Sequence, residues 1–265
     1  MFWIRFRSSV ILMVLTILSV VVGGSLLFAA TLGISLIGIM ELLRIFGVHK
    51  TVVGGVGYLG CILYYLTLFF GFHEHLVMLF ILYLLVIMTV YVFSFPKYNT
   101  DQIVITFFSL FYVAVMLSYI YQTRMLEGGA YLVWLIFISA WGSDTCAYLV
   151  GRKFGKHKMA PRLSPKKSIE GLIGGIVGAA LIGFIFATVF HKQITGVTHP
   201  QLAFAIIGGC GSMISQIGDL AASAIKRNHE IKDYGTLLPG HGGILDRFDS
   251  VIYTAPIVFY LATFL

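Results

Sequence analysis

The chain has 265 residues, of which 58% are hydrophobic and only 11% are charged. Soluble domains average about 25% charged residues, so this chain has too few charged groups to cover a soluble surface. The composition excludes a soluble enzyme, a disordered chain and a disulfide scaffold, and it indicates a protein whose solvent is the lipid bilayer. In that setting the net charge of +7 is explained by basic residues on the cytoplasmic side of a membrane, and not by nucleic-acid binding.

Long apolar runs follow one another along the chain, separated by short polar segments such as His49-Lys50. A helix needs about 20 mostly apolar residues to span a bilayer. The run from residue 10 to residue 40 is too long for one helix, so the Gly23-Gly24 pair predicts a tight break inside it. We predict an all-α, polytopic integral membrane protein with about nine transmembrane helices, over residues 8–23, 25–46, 52–70, 75–94, 101–121, 129–149, 169–190, 201–227 and 247–265.

The basic residues predict how these helices are oriented. With a cytoplasmic N-terminus and nine spans, every Lys and Arg except Arg124 and Lys192 lies on the cytoplasmic side, as the positive-inside rule expects. An even number of spans with a hairpin at the start is the alternative. We therefore predict a multi-pass protein of the cell (plasma or inner) membrane, with its N-terminus and both long polar loops in the cytoplasm.

The two halves of the chain differ in polar content. Residues 1–128 have mostly short connections, whereas residues 129–265 hold both long polar loops and most of the acidic groups. We expect residues 1–128 to form an N-terminal scaffold of transmembrane helices and a candidate dimerisation region. The function is expected in residues 129–265.

Four aspartates lie within or at the start of predicted helices, where charge is costly. A charge at bilayer depth costs roughly 2.5–3.5 kcal/mol, so such residues usually face a partner or a water-filled cavity. Asp144 lies in the sixth predicted helix, Asp219 in the eighth, and Asp246 and Asp249 open the ninth on one face. These carboxylates suit a hard cation such as Mg²⁺. Asp144 could equally pair with a basic loop residue.

Some acidic residues also have a purely structural interpretation. Asp246 is placed to cap the ninth predicted helix. Asp219 shares a helix face with Lys226 and is a candidate partner of that lysine. Glu41 is followed by Arg44 at i+3, which favours a local ion pair near the membrane interface over a functional site.

The loop from residue 151 to residue 171 is strongly basic and would attract anions at the membrane surface. Its start superficially resembles a P-loop, but the glycine spacing is wrong and the segment follows a membrane helix instead of a strand, so we reject that motif. Ser168 is placed to cap the next helix, where backbone donors together with Lys166 and Lys167 would bind phosphate oxygens. The alternative is a simple positive-inside anchor.

The second polar loop, residues 226–247, contains the segment Pro-Gly-His-Gly-Gly at 239–243. The glycines allow a close approach of the backbone to a ligand, and His241 is a candidate to bind phosphate, to transfer a proton or to brace the turn. Two basic loops, glycine turns and clustered carboxylates at one face call for a polyanionic ligand. They fit metal-assisted phosphoryl or nucleotidyl transfer to a lipid.

Residues 223–249 read SAIKRNHEIKDYGTLLPGHGGILDRFD. This run resembles the whole signature of the phosphatidate cytidylyltransferase (CDP-diacylglycerol synthase) family, without a departure. Asp144, Gly218-Asp219 and the segment 164–171 also resemble the family, so that the resemblance covers about residues 140–265 strongly. The first half agrees with the family only as an apolar multi-span region.

The resemblance implies a reaction of CTP with phosphatidate that gives CDP-diacylglycerol and pyrophosphate, with Mg²⁺ required, with or without a second cation. It also implies an all-α fold among membrane lipids, a homodimer, and a catalytic domain at 129–265. The candidate metal ligands are Asp219, Asp246, Asp249 and Asp144, which together with Lys226 are the candidate catalytic residues. The candidate substrate-binding residues are Ser164, Lys166, Lys167, Ser168, Glu170, Ser223, Arg227, Lys232, Asp233, His241, Gly242, Gly243 and Arg247.

Two other functions stay open at this point. A secondary transporter would use the same carboxylates as a cation or proton relay, although a relay needs neither basic loops nor a glycine-rich turn. A polyprenol kinase would transfer the γ-phosphoryl group of CTP to a neutral alcohol and release CDP. The products distinguish the three functions.

Overall fold

Helices make up most of the chain in the computed structural model, which describes residues 2–194, 196–238, 240 and 242–264. This confirms the predicted all-α, polytopic membrane architecture, because in lipid a helix satisfies all of its own backbone groups. In chain order the helices are α1 (Phe2–Val22), α2 (Gly24–Ile45), α3 (Val52–Phe69), α4 (Leu76–Phe93), α5 (Thr100–Ser109), α6 (Met116–Met125), α7 (Gly129–Phe137), α8 (Ser143–Phe154), α9 (Ile169–Val189), α10 (Pro200–Asn228) and α11 (Leu245–Ala262).

Two π-helical segments join pairs of these helices. Leu110–Val115 connects α5 to α6, and Ile138–Gly142 connects α7 to α8. Each pair is therefore one continuous helix, over Thr100–Met125 and Gly129–Phe154. A single 3₁₀ turn, His73–His75, precedes α4. With these connections, a helical segment of the described chain stands at the place of every predicted span.

In the part of the chain that the structure describes, seven helical segments are long and apolar enough to cross a membrane. The other two predicted spans fall on α1 and α11. The apolar part of α1, Ser9–Val22, is shorter than a span, and α11 opens with the charged sequence LDRFD. The count of nine spans and the cytoplasmic N-terminus therefore stay predictions. The predicted break at Gly23-Gly24 is confirmed, with φ values of 67° and 51° that favour glycine.

The basic loop after α8 contains a small β-hairpin that the sequence analysis did not predict. Strands β1 (Lys158–Ala160) and β2 (Ser164–Ser168) pair antiparallel, with Lys158 opposite Ser168 and Ala160 opposite Ser164. Backbone pairing orders this polar segment although it contains little apolar surface to bury. The hairpin leads directly into α9.

The chain forms two compact units. Unit 1 contains the residues up to Ser118 together with Asp233–Arg247, and unit 2 contains Tyr119–Lys232 together with the chain from Phe248 onward. These are units of packing, and the predicted functional division at residue 128 stays a prediction.

In unit 1, buried tyrosine hydroxyls connect the helices. The Tyr65 and Ser35 hydroxyls lie 2.8 Å apart, and the Tyr83 hydroxyl donates to the carbonyl of Thr106 at 2.8 Å. A hydroxyl buried among membrane helices is stabilised by such a partner. These bonds therefore fix α2 against α3 and α4 against α5.

In unit 2, α9 packs closely against α8 and α10. A Cβ on Gly174 would overlap Val150, and one on Gly178 would overlap Cys146, so only glycine permits this approach of α9 to α8. The hydroxyls of Ser143 on α8 and Ser212 on α10 lie 2.6 Å apart in the buried interior. This packing places the polar face of α8 beside that of α10.

Candidate active site

Asp219 lies within α10, about 13 Å before the C-terminal end of that helix at 1.5 Å per residue. Its Oδ2 lies 2.5 Å from the Nζ of Lys167, and the two side chains are only 25% and 18% exposed. Lys167 comes from β2, the strand that precedes α9. The ion-pair partner that the structure gives Asp219 is thus a lysine from the basic loop, and Lys226 as a further partner stays a prediction.

Gln216 connects this ion pair to a second carboxylate. The Nζ of Lys167 donates to Oε1 of Gln216 at 2.8 Å, and Nε2 of Gln216 donates to Oδ1 of Asp144 at 3.0 Å. Gln216 is 4% exposed, and its amide supplies both an acceptor and a donor. Asp144 is thus linked to a basic loop residue through Gln216.

Asp249 enters the same network from α11. The Ser250 hydroxyl lies 3.3 Å from Oδ2 of Asp144 and 3.4 Å from Oδ1 of Asp249, and its single proton bonds to one of them at a time. Asp249 is buried and interacts electrostatically with Asp219, Lys226 and Asp144. Three of the four predicted carboxylates therefore belong to one polar network in unit 2.

A cavity of about 430 Å³ opens beside this network. Its wall combines acidic, basic and apolar side chains, which suits a ligand with both a phosphate and an apolar part. The lining residues are Asp144, Ala147, Tyr148, Gly151, Arg152, Lys166, Lys167, Ser168, Gly171, Leu172, Gln216 and Asp219. The cavity thus contains several residues that the sequence analysis assigned to phosphate binding.

The residues around the start of α9 order the basic hairpin. The Ser168 hydroxyl accepts the N–H of Gly171 at 3.1 Å and caps α9, as predicted. Glu170 accepts the N–H of Lys156 at 3.1 Å, and its Oε1 lies 2.6 Å from Nδ1 of His157. Glu170 therefore holds the beginning of the hairpin. Ser164 stands at the first position of β2.

Asp246 lies in unit 1 and closes a backbone turn. Its Oδ2 accepts the N–H groups of Tyr234 at 2.8 Å and Gly243 at 2.9 Å, and only 8% of Asp246 is exposed. Gly242 in this turn has a φ of 86°. These contacts are those of a structural carboxylate in the first turn of α11, and the role of Asp246 as a metal ligand stays a prediction.

The other predicted substrate-binding residues lie towards the end of α10, in the loop after it and, for Arg247, in the first turn of α11. Arg227, Lys232 and Asp233 are exposed, and Ser223 and Arg247 are half-buried. Their predicted roles stay predictions. The predicted ligand His241 lies outside the described residues.

Three polar residues with direct roles in these contacts were missed. Gln216 precedes Asp219 by three residues on one helix face, and Ser250 directly follows Asp249, so each stood next to a predicted carboxylate. Glu41 interacts electrostatically with Arg44, as its spacing suggested, but its hydrogen-bond partners lie elsewhere. Its carboxylate accepts the N–H groups of Ile244 at 3.0 Å and Leu245 at 2.8 Å.

The donor chemistry of the network fits a divalent cation. Within the described residues, no three His, Cys, Asp or Glu side chains are grouped so that they would hold one ion. However, carboxylate, amide and hydroxyl oxygens from Asp144, Gln216, Asp219, Asp249 and Ser250 converge in unit 2, and these are the donors that Mg²⁺ prefers. The type of donor fits the metal, although the ligand sphere is not preassembled.

Comparison with known proteins agrees with this chemistry. Residues 3–265 match the Cytidylyltransferase family. The chain belongs to this family. The resemblance stated from residues 223–249 is thereby confirmed, and with it the assignment to a family of nucleotidyltransferases.

Several bacterial relatives of this cytidylyltransferase family member are named phosphatidate cytidylyltransferase. One from Bacillus subtilis (strain 168) is 36% identical over 165 residues, which cover 62% of the chain and 60% of the relative. One from Staphylococcus epidermidis (strain ATCC 35984) is 41% identical over 150 residues, 57% of the chain and 55% of the relative. One from Haemophilus influenzae is 41% identical over 136 residues, which cover 51% of the chain and 47% of the relative. The matched segments span about half the length of these relatives.

Proposed function

We propose that this protein transfers the CMP group of CTP to phosphatidate, giving CDP-diacylglycerol and pyrophosphate for phospholipid synthesis. The observation that carries the proposal is the network of Lys167, Gln216, Asp144 and Asp219 along a cavity that α8, β2, α9 and α10 line. A lipid phosphate and a nucleotide triphosphate both need cationic donors, and the basic hairpin supplies them. The family match and the names of the relatives support the same reaction.

In the proposed step, an oxygen of the phosphatidate phosphate bonds to the α-phosphorus of CTP. The bond between that phosphorus and the oxygen bridging to the β-phosphate breaks, and its electron pair leaves with pyrophosphate. Because phosphatidate is already an oxyanion, no strong general base is needed. The main barrier is the repulsion between two anions, which Lys166, Lys167 and Arg152 would lower by binding phosphate oxygens.

Mg²⁺ would supply further neutralisation of the approaching anions and of the leaving pyrophosphate. Asp219, Asp249 and Asp144 are the residues proposed to hold it, and Asp246 joins them on the strength of the family resemblance. Lys226, which interacts electrostatically with Asp249, would orient that carboxylate or bind the triphosphate. Lys167 already neutralises Asp219 in the structure, so its ammonium would shift towards phosphate when the cation binds.

We further propose the arrangement of this enzyme in the cell. Nine spans with a cytoplasmic N-terminus would place the hairpin and the 228–245 loop in the cytoplasm, where CTP is found. The plasma membrane is the proposed location, since the named relatives are bacterial. Residues 129–265 would carry catalysis, and residues 1–128 would be the scaffold of a homodimer.

A product assay tests the proposed reaction. The purified protein is incubated in mixed micelles with CTP, phosphatidate and Mg²⁺, and the lipid and nucleotide products are separated. We expect CDP-lipid and pyrophosphate in equal amounts. Phospho-lipid with CDP would indicate a polyprenol kinase instead, and absence of turnover together with ion-coupled flux in vesicles would indicate a transporter.

A further inference from the structure

Glu41 is a buried carboxylate near the C-terminal end of α2, and the proposed reaction does not use it. Only 2% of Glu41 is exposed. At this end of a helix the helix dipole opposes a negative charge, and an acidic side chain within a membrane segment is costly without a partner. A carboxylate at this position is therefore unfavourable for α2 itself. The groups that Glu41 binds must account for its presence there.

The partners of Glu41 are the amide directly before α11 and the first amide of that helix. One carboxylate oxygen accepts the N–H of Ile244 at 3.0 Å, and the other accepts the N–H of Leu245 at 2.8 Å. Amides at the start of a helix have no partner within the helix, and this end of the dipole favours a negative charge. Glu41 thus caps α11 from a different helix with both of its oxygens.

Two glycines in the same segment make room for this carboxylate. A Cβ on Gly235 or on Gly243 would overlap the Glu41 side chain. For Gly235, the three nearest atoms to such a Cβ all belong to Glu41. Close approach at Gly235 and Gly243 therefore accompanies the hydrogen bonds to Glu41.

The segment that Glu41 fixes carries Asp246 and continues in α11 to Asp249. Asp246 closes the turn by accepting the N–H groups of Tyr234 and Gly243. Glu41 binds the two amides that directly follow Gly243 and precede Asp246. The direction of the Asp246 side chain consequently depends on the bonds that Glu41 makes.

We infer that Glu41 is a positioning residue for nucleotidyl transfer, which holds the first turn of α11, and through it Asp246, in the orientation that the reaction needs. This inference rests on the proposed function, because it assigns to Glu41 an effect on that reaction. Glu41 acts through the backbone and not on the reacting atoms. Its effect is expected on kcat, while KM for both substrates changes little.

Glu41→Gln tests the inference, because the amide keeps the size of the side chain but turns an NH₂ group towards one of the two backbone N–H donors. We expect kcat to fall by about tenfold or more, as for the loss of a hydrogen bond to a charged group. Hydrogen–deuterium exchange in the peptide 233–247 should rise by about the same factor, while α9 keeps its protection. Glu74→Gln, the same substitution at an exposed carboxylate of unit 1, is the matched control and should alter neither quantity.

A double-mutant cycle keeps the test independent of one variant's folding. Gly235→Ala should lower kcat as Glu41→Gln does, but it should add little to Glu41→Ala, since the overlapping atoms are then gone. Three outcomes would overturn the inference. They are additive losses of kcat in the double variant, an unchanged kcat in Glu41→Gln, and hydrogen–deuterium exchange that rises in α9 as much as in the peptide 233–247. A wild-type protein that makes no CDP-lipid would overturn the proposed function and the inference together. An active wild type beside an unaffected Glu41→Gln would overturn the inference alone.

Discussion

Two adjacent lysines show how surroundings divide the roles of similar residues. Lys166 is exposed, whereas Lys167 is mostly buried and bonded to Asp219 and Gln216. An exposed lysine contributes little to stability, but removing one partner of a buried pair leaves the other charge uncompensated. The sequence placed both lysines in one phosphate-binding segment, and only the structure separates them.

Substituting each lysine should therefore have different consequences. We expect Lys166→Ala to raise KM for CTP or phosphatidate several-fold without lowering the thermal midpoint. Lys167→Ala should raise KM and also lower the midpoint, because Asp219 loses its ammonium partner. Steady-state kinetics and thermal unfolding in detergent measure both effects, and Lys158→Ala in the same hairpin serves as the control. If both variants keep wild-type KM for both substrates, the segment is only a positive-inside anchor.

The charges of Asp219 and Asp246 can be tested separately from their hydrogen bonds. We predict that Asp219→Asn and Asp246→Asn each abolish turnover in a folded, membrane-inserted protein, because Asn removes the charge that would hold Mg²⁺. At 246 the Asn oxygen can still accept the N–H groups of Tyr234 and Gly243.

The measurement for these variants is pyrophosphate release from CTP and phosphatidate, titrated with Mg²⁺, with Asp101→Asn as an exposed acidic control. Asp101 opens α5 and has no proposed part in the reaction. An Asp246→Asn enzyme with the wild-type rate and Mg²⁺ dependence would remove Asp246 from the metal site and leave it as a structural cap.

The sequence allowed prediction of those site residues that carry a charge within an apolar helix. Asp144 and Asp219 stood out because carboxylates are rare in membrane helices. Gln216 and Ser250 did not, since neutral polar residues carry little signal of this kind. Glu41 was only partly explained, for a different reason: spacing arguments compare residues three or four apart and find Arg44, whereas its hydrogen-bond partners lie about two hundred positions later in the chain.

At the scale of elements, Glu170 connects the basic hairpin to α9. It accepts backbone N–H groups from Lys156 and His157 and contacts the His157 ring. Those contacts tie the polar hairpin to a membrane helix at its base. A hairpin with little apolar surface is marginally stable alone, so its order depends on this attachment.

We therefore predict that Glu170→Ala loosens the hairpin. Limited trypsin digestion should cleave after Lys156 or Lys158 several-fold faster than in the wild type, because a cleavable segment must first detach. Substrate KM should rise as the lysines lose their fixed positions. Glu230→Ala, an exposed residue in another loop, is the control, and equal cleavage rates in all three proteins would contradict the attachment.

The π-helical segments show what composition cannot predict about an element. The helix predicted at 129–149 extends to Phe154 and contains a π-helical stretch at Ile138–Gly142, directly before Ser143 and Asp144. Such segments alter the direction in which following side chains point, and they often occur at functional sites. Hydropathy predicts that an apolar helix exists. It cannot predict a π-helical stretch within that helix, because the wider turn has the same apolar composition as an α-helical one.

At the scale of the whole molecule, the sequence suggested two consecutive halves, while packing groups the chain differently. The signature 223–249 is divided, with Asp233–Arg247 in unit 1 and the residues before and after it in unit 2. A boundary drawn from composition follows the chain order and cannot detect a returning segment. The bonds from Glu41 to Ile244 and Leu245 are the physical reason that this segment packs with the first helices.

Membrane topology is the remaining prediction about the whole molecule, and it follows from charge. If nine helices alternate from a cytoplasmic N-terminus, all Lys and Arg except Arg124 and Lys192 lie inside. In a cysteine-free background, Pro161→Cys and Thr236→Cys should then resist an impermeant maleimide in right-side-out vesicles, whereas Lys192→Cys should react. All three of these positions are exposed, so that a failure to react reports sidedness and not burial. Disruption of the vesicles should make the first two reactive, which controls for intrinsic reactivity. Labelling of one loop but not the other would contradict the nine-span arrangement, because both basic loops would no longer face the same side.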